Sequence, residues 1–155
     1  MDDYVKTEYK KLQQKYNLPE YKKFNDVFEI VSIEENKSGK FANALTRVVH
    51  GKIKFFLTFF DPFLLPQPNS AYMMIVSKDI GRLREGLLEV YKELMVDYNN
   101  GYLVLLKGEK EMMNYVKDIW KKHEAYKKKL IKFIEELNKI VLKTTDVKEN
   151  KGYLG

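Results

Sequence analysis

The chain reads as a single all-α domain, a bundle of about five helices that ends in a long C-terminal helical hairpin. Three observations predict this. In residues 41–60, FANALTRVVHGKIKFFLTFF, the residues Phe41, Leu45, Val48, Val49, Ile53, Phe56, Phe59 and Phe60 fall at the three-and-four spacing of one helical face. Leu83, Leu87, Val90, Tyr91, Leu94 and Tyr98 repeat the same spacing further on. Near the end, Met112, Val116, Ile119, His123, Tyr126, Leu130, Phe133, Leu137 and Ile140 form an unbroken seam of alternating fours and threes.

The first helix covers residues 3–16, with Val5, Tyr9, Leu12 and Tyr16 on one face, and Asn17 and Pro19 end it. Pro19 suits the first position of a short second helix through Phe24, because its missing N–H would have no partner there. Residues 27–33 alternate enough to be extended, and Asn36-Lys37-Ser38-Gly39 reads as a turn.

The central stretch is the most apolar of the chain. With Phe55 and Leu57 its apolar arc reaches about 200°, against the roughly 100° of an ordinary surface helix, so it wants neighbours on more than one side. Arg47, Lys54, Thr58 and Asp61 share the strip that remains. The rival is an α+β chain with hairpins within residues 27–60 and a β-α-β unit over 71–106, in which His50-Gly51 turns between two strands. Alternation would then bury Ile53, Phe55, Leu57 and Phe59 but expose Phe56 and Phe60, so the helix explains more residues.

Asp61-Pro62 reads as a stop and restart, followed by a loop over 66–70. Residues 71–76, AYMMIV, suit a strand or the lead-in to a helix over 79–106. Asn99-Asn100-Gly101 either breaks that helix, leaving 102–106 as a strand, or lets it continue with Leu105 and Leu106 extending its apolar face; the continuous helix is preferred. The Lys107-Gly108 connection then returns the chain into the last helix. Residues 1–143 make one domain, and 144–155 read as a polar flexible tail.

Composition narrows the function classes. A chain of 155 residues buries a sizeable core without a metal or disulfide, and with no cysteine, thiolate zinc sites and cysteine nucleophiles are excluded. Residues 1–11 lack the apolar core of a signal peptide, and residues 55–65 are too short for a membrane span, so a cytoplasmic protein with no membrane partner is expected.

Motifs for chemistry are sparse. Arg47 stands three before His50 and Trp120 three before His123, so neither histidine carries the Glu of a di-iron bundle. His123 belongs to the seam as a core residue, and His50 is expected at the surface. Gly39-Lys40 is followed by Phe41 and lacks the earlier glycine of a phosphate loop. The pairs Glu85 with Glu89 and Glu135 with Glu136 are spaced like solvated surface residues. No catalytic residue, cofactor or metal is assigned.

The formal charge of +6 is concentrated in residues 107–143, which hold eleven lysines against six acids. Lys117, Lys121, Lys128 and Lys132 share the face opposite the seam and are the candidate contacts to nucleic acid. Glu124 and Glu135 share it too, in expected pairs with Lys128 and Lys139, which favours a solvated face. If Phe55, Leu57, Phe59, Phe63 and Leu64 exceed what partner helices cover, the surplus is an apolar interface, with a homodimer as the commonest outcome.

The order of KIKFFLTFFDPFLLP, then VYKELM at residues 90–95, then a Lys/Glu-rich C-terminal helix resembles small uncharacterised archaeal proteins, over roughly residues 18–140. The resemblance implies a helical bundle and brings no activity, cofactor or site. The function expected is a non-catalytic binding or assembly module that self-associates through the Phe-rich helix. A non-specific nucleic-acid binder is the alternative, and an enzyme with an unrecognised site comes third.

Overall fold

The computed structural model describes residues 2–33, 40–64 and 80–149. Five α-helices are present among them: α1 Asp2–Tyr16, α2 Tyr21–Phe28, α3 Phe41–Leu64, α4 Gly81–Leu105 and α5 Glu109–Glu149, with a 3₁₀ turn at Ile30–Ser32. No strand occurs among the described residues, so the α+β alternative does not hold. The turn at 36–39, the loop at 66–70, the segment 71–76 and the last residues 150–155 lie outside them.

The long helices α3, α4 and α5 pack on one another as an up-down-up bundle. Their directions follow from the contacts. Tyr91 of α4 donates to Asp61 of α3 at 2.6 Å, while His50 meets Tyr98, so these two helices run antiparallel. The Phe56–Tyr126 and Phe60–Phe133 ring pairs, at 6.3 and 5.6 Å, set α3 and α5 parallel. All but two members of the α5 seam, Leu130 and Ile140, are buried, as the spacing predicts. The small elements α1, α2 and the 3₁₀ turn close one end, where Phe24 stacks on Trp120 at 5.5 Å. Lys15 and Tyr16 both bond Glu109 at 2.7 Å and tie α1 to the start of α5, holding the Glu109 carboxyl below its usual range.

Helix ends show why some expected boundaries move. Asn17 adopts a left-handed φ of 54°, and Leu18 N–H returns to the Gln13 carbonyl at 3.3 Å, a C-terminal cap with Leu18 buried beneath it. Pro19 therefore lies in the linker, and α2 runs from Tyr21 to Phe28 rather than ending at Phe24. Residues 27–33 are not extended: Glu29 at φ 54° ends α2 and its carbonyl accepts from Ser32 N–H in the 3₁₀ turn. Pro62 does not stop α3. It sits on the exposed side with Thr58, so the carbonyl deprived of its partner faces water. Arg84 Nε then caps the end of α3 by donating to the Phe63 carbonyl at 3.2 Å.

Candidate functional site

The Phe-rich helix directs most of its aromatic surface inward. Leu57 and Phe63 are buried, Phe59 and Leu64 are half-buried, and Phe55 alone of the five proposed interface residues is exposed, at 57%. Phe59, Phe60 and Phe63 gather around Phe133 of α5, with the closest centroids 5.0 Å apart. The apolar arc of α3 is thus consumed by α4 on one side and α5 on the other. Phe55 stands off this cluster, with the Phe56 ring centre 5.9 Å from its own and the Lys52 ammonium at 6.0 Å.

The four proposed nucleic-acid contacts do lie together on α5. Lys121, Lys128 and Lys132 are exposed, Lys117 is half-buried, and none has an ion-pair partner among the described residues. Their neighbours are engaged: Lys122 with Asp97 and Asp118, Lys129 with Glu93, and Lys139 with Glu136. The expected Glu124–Lys128 and Glu135–Lys139 pairs do not form. Glu124 turns to His123 Nε2 at 3.3 Å, and Lys139 takes Glu136 at 2.7 Å.

His50 departs from its expected surface position and is buried. Its Nε2 donates to the Tyr98 carbonyl at 2.9 Å, and its ring stacks on Tyr98 at 4.6 Å and meets Tyr102 edge-on at the same distance. Burial pushes its pKa down against the Tyr98 bond, and Lys54 and Arg47 add to the fall. Gly101 makes this contact feasible, because a Cβ there would lie 2.9 Å from Cγ and Nε2 of the ring. Asn99-Asn100-Gly101 thus sits inside a continuous helix, with Gly101 where a side chain would meet the His50 ring.

Two further features were not singled out from the sequence. Between α4 and α5, the buried Asp97 carboxylate accepts from Tyr126 Oη at 2.6 Å and from Lys122 Nζ at 2.9 Å. Burial works against the Lys122 charge, but the bonds to Asp118 and Asp97 outweigh it and hold its pKa up. The Tyr126 phenol is pushed well above its usual range by burial and by the Asp97 bond. Tyr115 Oη is buried nearby with no hydrogen-bond partner among the described residues. Two open hollows of about 330 and 440 Å³ flank the Glu93–Lys129 pair, one floored by Phe60, Leu87 and Phe133, the other bordered by Asp97 and Tyr126. Both Asp97 oxygens are committed to donors, an arrangement suited to fixing the register of two helices.

The second feature is the outer face of α4. Leu88, Val96, Leu103 and Leu106 are between 44% and 85% exposed, and at 100° per residue they fall within about 80° of arc, along with Lys92 and Asn99. Leu106 therefore does not extend the buried face. The helix carries two apolar stripes, and the signal for the second was the set of large apolar residues left over once the inward stripe was assigned. Among the described residues no helix is long and apolar enough to cross a membrane, and no three His, Asp or Glu side chains gather as a metal set. Comparison with family models, with curated proteins and with solved structures finds no match to this chain.

Proposed function

We propose that the chain is a non-catalytic helical assembly module that associates with itself, and that the contact is the outer face of α4 rather than the Phe-rich helix. The observation behind this is the stripe of Leu88, Val96, Leu103 and Leu106, four large apolar side chains lined up along about 27 Å of α4 and the turn that ends it, and open to water. Scattered single apolar residues such as Phe55 are ordinary on a protein surface; an aligned set is the mark of an interface. A cytoplasmic location goes with this reading. Sedimentation velocity across roughly 1–200 μM tests it, a range set by the modest area one helix face can bury. The reading expects a dimer that persists or tightens as salt is raised. A chain monomeric throughout that range would defeat it.

A second reading, a non-specific nucleic-acid binder, is favoured by the absence of ion-pair partners among the described residues for Lys117, Lys121, Lys128 and Lys132. Cations left free on one helical face can replace the counterions of a phosphate backbone. Titration of a fluorescent duplex at two salt concentrations tests it, with affinity expected to fall by about tenfold or more between 50 and 200 mM salt. Salt-independent binding, or none, rules this reading out.

A further inference from the structure

The outer face of α4 also carries charge, and its distribution has a direction. Glu85 and Glu89 lie beside Leu88 at the N-terminal end of the stripe, and Lys107 lies beside Leu106 at the C-terminal end. All three are exposed and have no ion-pair partner among the described residues. On the wheel Glu89 and Lys107 fall on the same flank of the apolar stripe, while Glu85 falls within the stripe, in line with Leu103. The stripe is thus a row of leucine and valine with an acidic lower corner and a basic upper corner on one side.

The geometry points to a second copy of this chain as the occupant, docked with its α4 antiparallel to the first about a two-fold axis midway between Val96 and Asn99. This rests on the reading of the chain as a self-associating module and adds the partner's orientation. A two-fold axis perpendicular to the paired helices brings the same flank of each copy together and reverses the helix direction. Leu88 of one copy then meets Leu106 of its partner, Leu103 covers the stem of Lys92, and Val96 meets Asn99. The same operation sets Glu85 and Glu89 of each copy against Lys107 of the other, at both ends of the contact. A parallel pairing would instead carry these flanks to opposite sides of the contact and keep the glutamates at one end and Lys107 at the other, so no opposite charges would meet. The complementary charges select the antiparallel arrangement, while the apolar row supplies the attraction.

The chain has no cysteine, so introduced thiols report on this contact without background. Leu88→Cys and Leu106→Cys chains are prepared separately, mixed under mild oxidation and resolved on a non-reducing gel. The antiparallel arrangement expects a mixed disulfide between the two variants and little linkage of either variant with itself, because the two positions lie about 27 Å apart along the helix. Self-linkage of Leu88→Cys would overturn it in favour of a parallel pairing. Absence of any linkage in a sample that sedimentation shows to be dimeric would place the contact elsewhere, leaving self-association standing without this surface. A monomeric sample would instead remove the underlying reading. Charge variants give an independent readout. Glu89→Lys weakens the dimer by about fivefold, and Lys107→Glu added to it restores affinity to within about twofold, because the paired charges are reversed together. Failure of the second change to restore affinity in a dimeric, folded sample also overturns the antiparallel register.

Discussion

Gly86 and Gly101 lie in the same helix, and changing each to alanine should have opposite effects. Alanine is favoured over glycine by about 1 kcal/mol in a helix interior. At Gly86 an added Cβ meets nothing within 4 Å, so the whole gain is realised. For a chain of this size that corresponds to a melting temperature higher by roughly 2–4 °C. At Gly101 the same Cβ would fall on the His50 ring, 2.9 Å from two of its atoms. The ring cannot slide freely, because it is buried, stacked on Tyr98 at 4.6 Å and bonded to the Tyr98 carbonyl at 2.9 Å. Overpacking costs about 1–3 kcal/mol and loss of the bond about 1 kcal/mol, which together exceed the propensity gain and leave a net loss of about 2 kcal/mol. The melting temperature should fall by roughly 4–8 °C. Differential scanning calorimetry of both variants reads the signs directly. In a His50→Ala background the clash disappears, so Gly101→Ala should become neutral or stabilising, a coupling of at least about 2 kcal/mol. If Gly101→Ala stabilises the wild-type chain as much as Gly86→Ala does, the α3–α4 contact is not as close as described and the reasoning fails.

Three other outcomes follow from the interior polar groups. Tyr126→Phe removes a donor from the buried Asp97 carboxylate and should cost about 2 kcal/mol in urea denaturation, whereas Tyr115→Phe removes a hydroxyl without a partner among the described residues and should be neutral or stabilising by up to about 1 kcal/mol. Equal losses for the two would contradict the assignment of partners. His50 is held below the ordinary imidazole value of about 6.5, so on acidification the unfolded chain takes up its proton before the folded one. Its contribution is complete above about 6.5 and is lost as pH falls through that value toward the lower folded one; denaturation midpoints of His50→Gln should therefore decline less than wild type between pH 7.5 and 5.5. The Glu109 carboxyl, lowered by Lys15 and Tyr16, contributes above the usual carboxylate pKa of about 4.3 and loses that contribution in stronger acid, so Glu109→Gln should flatten the stability profile below pH 4.5.

The helical periods of residues 41–60 and 112–140 were legible in the sequence because a bundle repeats its demand for apolar groups every three or four residues. Boundaries were less so. Pro62 and Asn99-Asn100-Gly101 look like breaks locally, yet one faces water and the other accommodates a histidine from a neighbouring helix, and only the packing reveals either circumstance. The same limit applies to the surface. The phenylalanines of α3 suggested an excess of apolar surface, but the parallel approach of α5 places Phe133 among them. The stripe of Leu88, Val96, Leu103 and Leu106 was visible as residues off the main face of α4, but its exposure depends on which side the other helices occupy. Asp97 gave no signal of its own, since an isolated acid in a helix reads as solvated until Lys122 and Tyr126 are brought to it.

The most direct check of the proposed contact is sedimentation equilibrium of the wild-type chain beside Leu103→Glu, a change at a half-open position that leaves the core untouched. A concentration-dependent dimer in the wild type, with the variant held at the mass of one 18.4 kDa chain, is the outcome the account predicts. Identical association of the two proteins would contradict it.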